Sequence, residues 1–272
     1  MKQRTKPKLR LLALNLVLVL LCSLALPITA GAASEHINLG YGDSDMNGSG
    51  WQYHSDDRAL VLNNYQGGPI TVTGDLKIYS YGDVDVAGTG RNHAVSVTNG
   101  DVYVYVENGT MNVTAQQDAC GIYADGSGAM VGVVPINGDA TIQAGPTGAG
   151  IFSAGGVILM TPPKSWTSPD GTVCYDGRGY GDETYTGQVH VIGPSKGYKT
   201  NAAISSIYVM LDADGSVINP SSAPAIRCAG LVIGDDDYAS TAYGIQTGST
   251  VNMTIRAGGN ARAIMGIDQN TP

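Results

Sequence analysis

No stretch of this sequence sustains a 3.6-residue hydrophobic period, which excludes a fold built on amphipathic helices. Cysteine is scarce. Outside the N-terminal leader only Cys120, Cys174 and Cys228 occur, too few and too scattered for a disulfide framework. At most one pair can form, and no CxxC or His/Cys spacing marks a zinc site. Phenylalanine occurs once against 15 tyrosines, and charged residues make up 14%. What recurs instead is short Val/Ile runs broken by Asp and by many of the 38 glycines. Such runs read as an almost entirely β chain.

Basic residues are the second shortage. Five of the 15, Lys2, Arg4, Lys6, Lys8 and Arg10, precede an apolar run from Leu11 to Leu26 and the small residues Ala30-Gly31-Ala32. That order is expected of a secretory signal peptide over residues 1–32, with a retained anchor as the alternative. Cleavage leaves ten basic residues against 23 acidic ones, a net charge of −13. This balance repels phosphate backbones and anionic membranes, so nucleic acid and membrane are poor partners. The expected location is extracellular, at or near the cell surface.

The segment "GDVYVYVENGTMNVT", residues 100–114, can be read in two ways. Two alternating runs around Asn108-Gly109 form a hairpin signal that would set Val104 opposite Val113. The repeat favours the other reading. "GDLKIYSYGDVDVAGTGRNHAVSVTN" from Gly74 is followed directly by "GDVYVYVENGTMNVTAQQDACGIYAD" from Gly100, with the same Gly-Asp and alternating-strand opening. Each unit holds three short strands: Leu76/Ile78, Val84/Val86 and Val95/Val97, then Val102/Val104, Met111/Val113 and Ile122. Third and fourth units follow, the fourth interrupted by an insertion at 161–186. A small residue followed by Val or Ile tags the third strand at Val95, Ile122, Ile151, Ile204, Ile226, Ile245 and Ile264, with spacings that shrink toward the C-terminus. The expected fold is therefore an all-β, right-handed parallel β-helix, a solenoid with three short strands per coil. Residues 33–73 are read as an N-terminal cap and lead-in, using Trp51, Leu60, Leu62 and Tyr65, and 74–272 as the solenoid. The last edge at "AIMGIDQNTP" is expected to continue into further chain or to meet a partner.

At "GWQYHSDDRALVLNNYQGGPITVTGDLKI" the chain resembles secreted β-helix surface proteins of Gram-positive bacteria, described as carbohydrate-binding-domain-containing proteins. The likeness is good over that segment and extends to the later coils only in style. It implies a β-helix and an extracellular, glycan-binding role, and it carries over no catalytic residue.

Candidate sites follow from residue chemistry. The insertion holds Trp166, Tyr175, Tyr180 and Tyr185 among carboxylates and Arg178, a mixture suited to sugar rings and hydroxyls. A decorating loop packed on the coil wall is the competing reading. Tyr79 plus one repeat lands on Tyr105, so these rings should neighbour each other on one sheet face, with Tyr103 two positions along. Asp43, Asp45 and Asn47 ahead of Gly48 open like a calcium loop, but His54 stands where a bidentate Glu belongs. An EF-hand fails there, and a different Ca2+ turn stays open. "GPSKG" at Ser195 matches a nucleophile elbow without the helix it requires. The reading is a non-enzymatic, adhesive or glycan-binding module with no catalytic residue. The alternatives are a polysaccharide-degrading, lyase-like β-helix and a purely structural spacer.

Overall fold

The computed structural model describes residues 35–160, 186–196, 201–234 and 251–267, together with the strands Lys164–Thr167, Val173–Asp176 and Ile245–Thr247. The expected signal peptide lies outside these residues, as does much of the insertion. The chain is all-β, with no helix among the described residues. Three sheets of eight, ten and seven strands, parallel except at the start of the ten-stranded one, are stacked into a solenoid-like body.

Strand order shows how the chain is laid down. Leu76–Tyr81 enters the ten-stranded sheet, Asp83–Ala87 the seven-stranded sheet and Val95–Thr98 the eight-stranded sheet. The next three strands, Val102–Val106, Gly109–Thr114 and Ile122–Asp125, visit the same sheets in the same order. Val104 is therefore paired in parallel with Ile78 and Val133, and Val113 with Val86 and Ile142. The hairpin reading of 100–114 is excluded. Asn108-Gly109 forms a corner between two sheets instead. Gly109 has φ +73, and a Cβ there would come within 2.3 Å of the Gly82 carbonyl oxygen, so this corner needs glycine twice over. Asn108 Oδ1 meanwhile accepts the Gly82 amide at 2.8 Å.

Alternation puts every second residue inside, where like stacks on like. In the eight-stranded sheet the column runs Ile37, Ile70, Val95, Ile122, Ile151, Ile204, Ile226 and Ile264. Six of the seven expected third-strand tags stand in it. Ile245 does not: it pairs with Leu231 in the ten-stranded sheet. The column thus steps from Ile226 straight to Ile264, and the expected pair of short steps through Ile245 is wrong. A small residue before Ile suits a sheet corner in general, so the tag alone does not say which corner it marks. The parallel register passes across the insertion unbroken, with Gly156 opposite Tyr208 and Ala140 opposite Val189.

The ten-stranded sheet begins differently. Trp51–His54 runs antiparallel to both Met46–Gly48 and Ala59–Asn63, before Ala59–Asn63 joins Leu76–Tyr81 in parallel. Trp51, Leu60, Leu62 and Tyr65 are all buried here. Tyr65 donates its hydroxyl to the Glu35 carbonyl at 2.8 Å, and burial pushes its pKa up to about 12.

Candidate functional site

The outer face of the ten-stranded sheet carries the tyrosines. Leu76, Ile78, Val102 and Val104 point inward and are buried, so Lys77, Tyr79, Tyr103 and Tyr105 face outward. Tyr79 and Tyr105 occupy the same register position on neighbouring strands, and their rings stack at 5.0 Å between centroids with 13° between planes. Tyr103 lies across Lys77 on one side and Gly132 on the other. A Cβ on residue 132 would come within 2.3 Å of the Tyr103 ring, so the glycine lets that ring lie down on the sheet.

Burial raises the Tyr105 pKa above the ordinary phenol value, with further contributions from Tyr79 and Tyr103. Tyr81 is raised by burial, then by Glu107 and Tyr79. The Tyr81 and Tyr105 hydroxyls are therefore neutral at physiological pH and can both donate and accept.

A depression of about 310 Å³ adjoins the platform, lined by Gly48, Gly50, Trp51, Gln52, Val61 and Asn63. Val61 is the register partner of both Tyr79 and Gln52, and Asn63 is the partner of Tyr81. Phenol rings and amide groups thus share one face of the sheet on neighbouring strands. Trp51 is tied down, donating Nε1–H to Glu35 Oε2 at 3.0 Å.

The other expected sites fare differently. Trp166 and Tyr175 lie in the antiparallel pair Lys164–Thr167 and Val173–Asp176, opposite Cys174 and Ser165 respectively, so they are not paired with each other. Tyr180 and Tyr185 fall outside the described residues. Asp43 accepts the Gly40 amide, Asp45 accepts both the amide and hydroxyl of Ser55 at 2.8 Å, and Asn47 sits opposite Gln52. Those Ser55 hydrogen bonds, the backbone one foremost, hold the Asp45 carboxyl below its usual range. Each carboxylate is engaged with its own backbone partner.

A second aromatic column escaped the sequence reading. On the outer face of the eight-stranded sheet, His93 stacks on Tyr123 at 4.2 Å and 1°, and Tyr123 on Phe152 at 5.1 Å and 15°. The available signal was the residue after each third-strand tag: Ser96, Tyr123, Phe152, Ser205 and Arg227 form one outward row. His93, in the corner before its strand, has no such signal.

Comparison of the chain with protein-family models, curated proteins and solved structures found no match in any of the three.

Proposed function

We propose that this chain is a secreted or cell-surface, non-enzymatic module that holds neutral glycans against the Tyr79, Tyr103 and Tyr105 platform. On this reading three strands make one right-handed coil, the hand favoured by parallel crossovers, and the solenoid displays the platform rather than enclosing a reaction. The observation that carries the proposal is the near-parallel, in-register stack of Tyr79 on Tyr105 beside the amide-lined depression at Gln52 and Asn63. A sugar ring presents C–H groups to the outer sides and edges of the stacked rings and hydroxyls to amides and phenols, and this surface supplies both sets of partners. Its shallow shape suits a chain segment of a polysaccharide better than a small enclosed ligand.

A glycan array run with and without calcium is the test, using the wild type and Tyr79→Ala/Tyr105→Ala. Binding of neutral glycans by the wild type, reduced about tenfold or more in the double variant, is expected, since each aromatic contact is worth roughly 0.5–1.5 kcal/mol beyond its buried area. An unchanged profile in the double variant, or no neutral glycan bound by the wild type, would overturn it. Dependence on calcium would assign a role to the Asp43, Asp45 and Asn47 turn. Loss of binding on removal of 161–186 would move the site to the insertion.

A further inference from the structure

The outward row of the eight-stranded sheet runs Ser96, Tyr123, Phe152, Ser205, Arg227 and Met265. Three rings in succession, His93, Tyr123 and Phe152, form a stacked column at one end of it. Two strands beyond Phe152, at about 4.8 Å per strand, stands Arg227. The side chain is half-buried, and its Nε is shielded from solvent with no hydrogen-bond partner. Only one other side-chain atom among the described residues, Ser80 Oγ, shares that condition. Arginine is seldom drawn into a surface without an acceptor, because the lost hydration of an unpaired guanidinium is costly. In a chain with 23 acidic residues against 15 basic ones, carboxylates are plentiful, yet among the described residues none accepts from this Nε. Asp125, the acid on this face, interacts with the Tyr123 hydroxyl at the other end of the row.

We propose that the His93–Tyr123–Phe152 column and Arg227 form a second glycan site, selective for polysaccharides that carry carboxylates. A sugar ring packs on the side of Phe152 that faces away from Tyr123, and a uronate carboxylate meets the half-buried Arg227 guanidinium. Ser205, at the register position between Phe152 and Arg227, is buried and offers the ligand no contact of its own. The ligand class, a polysaccharide, rests on the function proposed above, whereas the selectivity comes from Arg227 alone. The overall negative charge opposes a polyanion at long range, but at physiological salt charges beyond about 8 Å are largely screened, leaving the local cation in control.

Native-gel affinity electrophoresis of the whole chain in polygalacturonate and in neutral dextran, at about 0.15 M salt, is the test. Retardation by polygalacturonate is expected, weakened about tenfold or more by Arg227→Gln, as for loss of a hydrogen bond to a charged group. Phe152→Ala should weaken it as well, while Phe152→Tyr, which keeps the ring and guards against misfolding, should not. Tyr79→Ala/Tyr105→Ala should leave this retardation intact, which separates the two sites. No retardation by polygalacturonate overturns the inference, even if neutral glycans still bind through Tyr79 and Tyr105. So does retardation that survives Arg227→Gln unchanged, or that dextran reproduces and Phe152→Ala abolishes.

Discussion

His93 stacks its imidazole on Tyr123 and uses Nδ1 to accept the Cys120 amide at 2.9 Å, which requires the neutral ring. Burial lowers its pKa from 6.5, opposed by the charge of Asp125. The unfolded chain therefore takes up a proton at higher pH than the folded one. Stability from His93 is complete above about pH 6.5 and is lost as pH falls through the lowered folded value. Replacing His93 with Phe keeps a ring on Tyr123 but strands the Cys120 amide, at a cost of about 1–3 kcal/mol near neutrality. Urea titrations from about pH 8 to about pH 5 should show a stability decline in the wild type that His93→Phe flattens. The neighbouring thiol adds nothing to this slope. Burial pushes Cys120, like Cys228, up to about 11, so both stay protonated throughout.

Elements are joined by the Gly-Asp tag, whose meaning is mechanical. Asp75 Oδ1 accepts the Asp101 amide at 2.9 Å, and Asp101 Oδ1 accepts the Met130 amide at 2.8 Å. Asp139, after Gly138, does the same for Gln188, and Asp214, which follows Ala213 and not a glycine, does it for Asn252. Each aspartate thus satisfies an amide one layer further along, at a corner where the sheet ladder has not yet begun. Asp101→Ala should cost about 1–2 kcal/mol, read as a lowered urea midpoint, and Asp101→Asn should recover most of it because an acceptor oxygen remains. These tags also explain which parts of the structure were legible beforehand. Strand positions from Leu76 to Ile151 follow from alternation and repeat length, because slipping by a single position would turn the aliphatic set outward. The Tyr79–Tyr105 stack follows from the same arithmetic. Ile245 departs from the expected column because Gly-Ile precedes strands of the eight-stranded sheet at Ile122 and Ile151 and also a strand of the ten-stranded sheet. The His93–Tyr123–Phe152 column was hidden because the outward residue after the tag changes from Ser to Tyr to Phe, and a changing letter does not register as a repeat.

At the scale of the molecule, stability is a sum over neighbouring layers. Val104 meets Ile78 and Val133, and Val113 meets Val86 and Ile142, but no layer can bury its own inner face. One consequence concerns layer removal. Val102 pairs with Val131, Gly109 with Gly138 and Ile122 with Ile151, so the offset between these two layers is the same in all three sheets. Deleting the stretch 100–128 removes one such offset, brings Ala129 next to Asn99 and leaves every later strand in register with the layer before the deletion. Leu76 would take Val131 as its partner, Val84 would take Ala140 and Val95 would take Ile151, all inward-facing residues. The shortened chain should keep its β-type far-UV circular dichroism and unfold cooperatively. Its denaturant slope should fall in proportion to the length removed, since that slope tracks the surface exposed on unfolding. Deleting 100–132 instead takes four residues more than a full offset, including the first three of Met130–Pro135, so the chain reaches the remaining strand only by displacing the register in all three sheets. It should abolish cooperative folding, because the corner glycines and the Asp101-type amide acceptors would no longer meet their counterparts. If both deletions unfolded the chain to the same degree, the additive layer picture would fail, and the platform tyrosines could not be treated as a display on an indifferent scaffold.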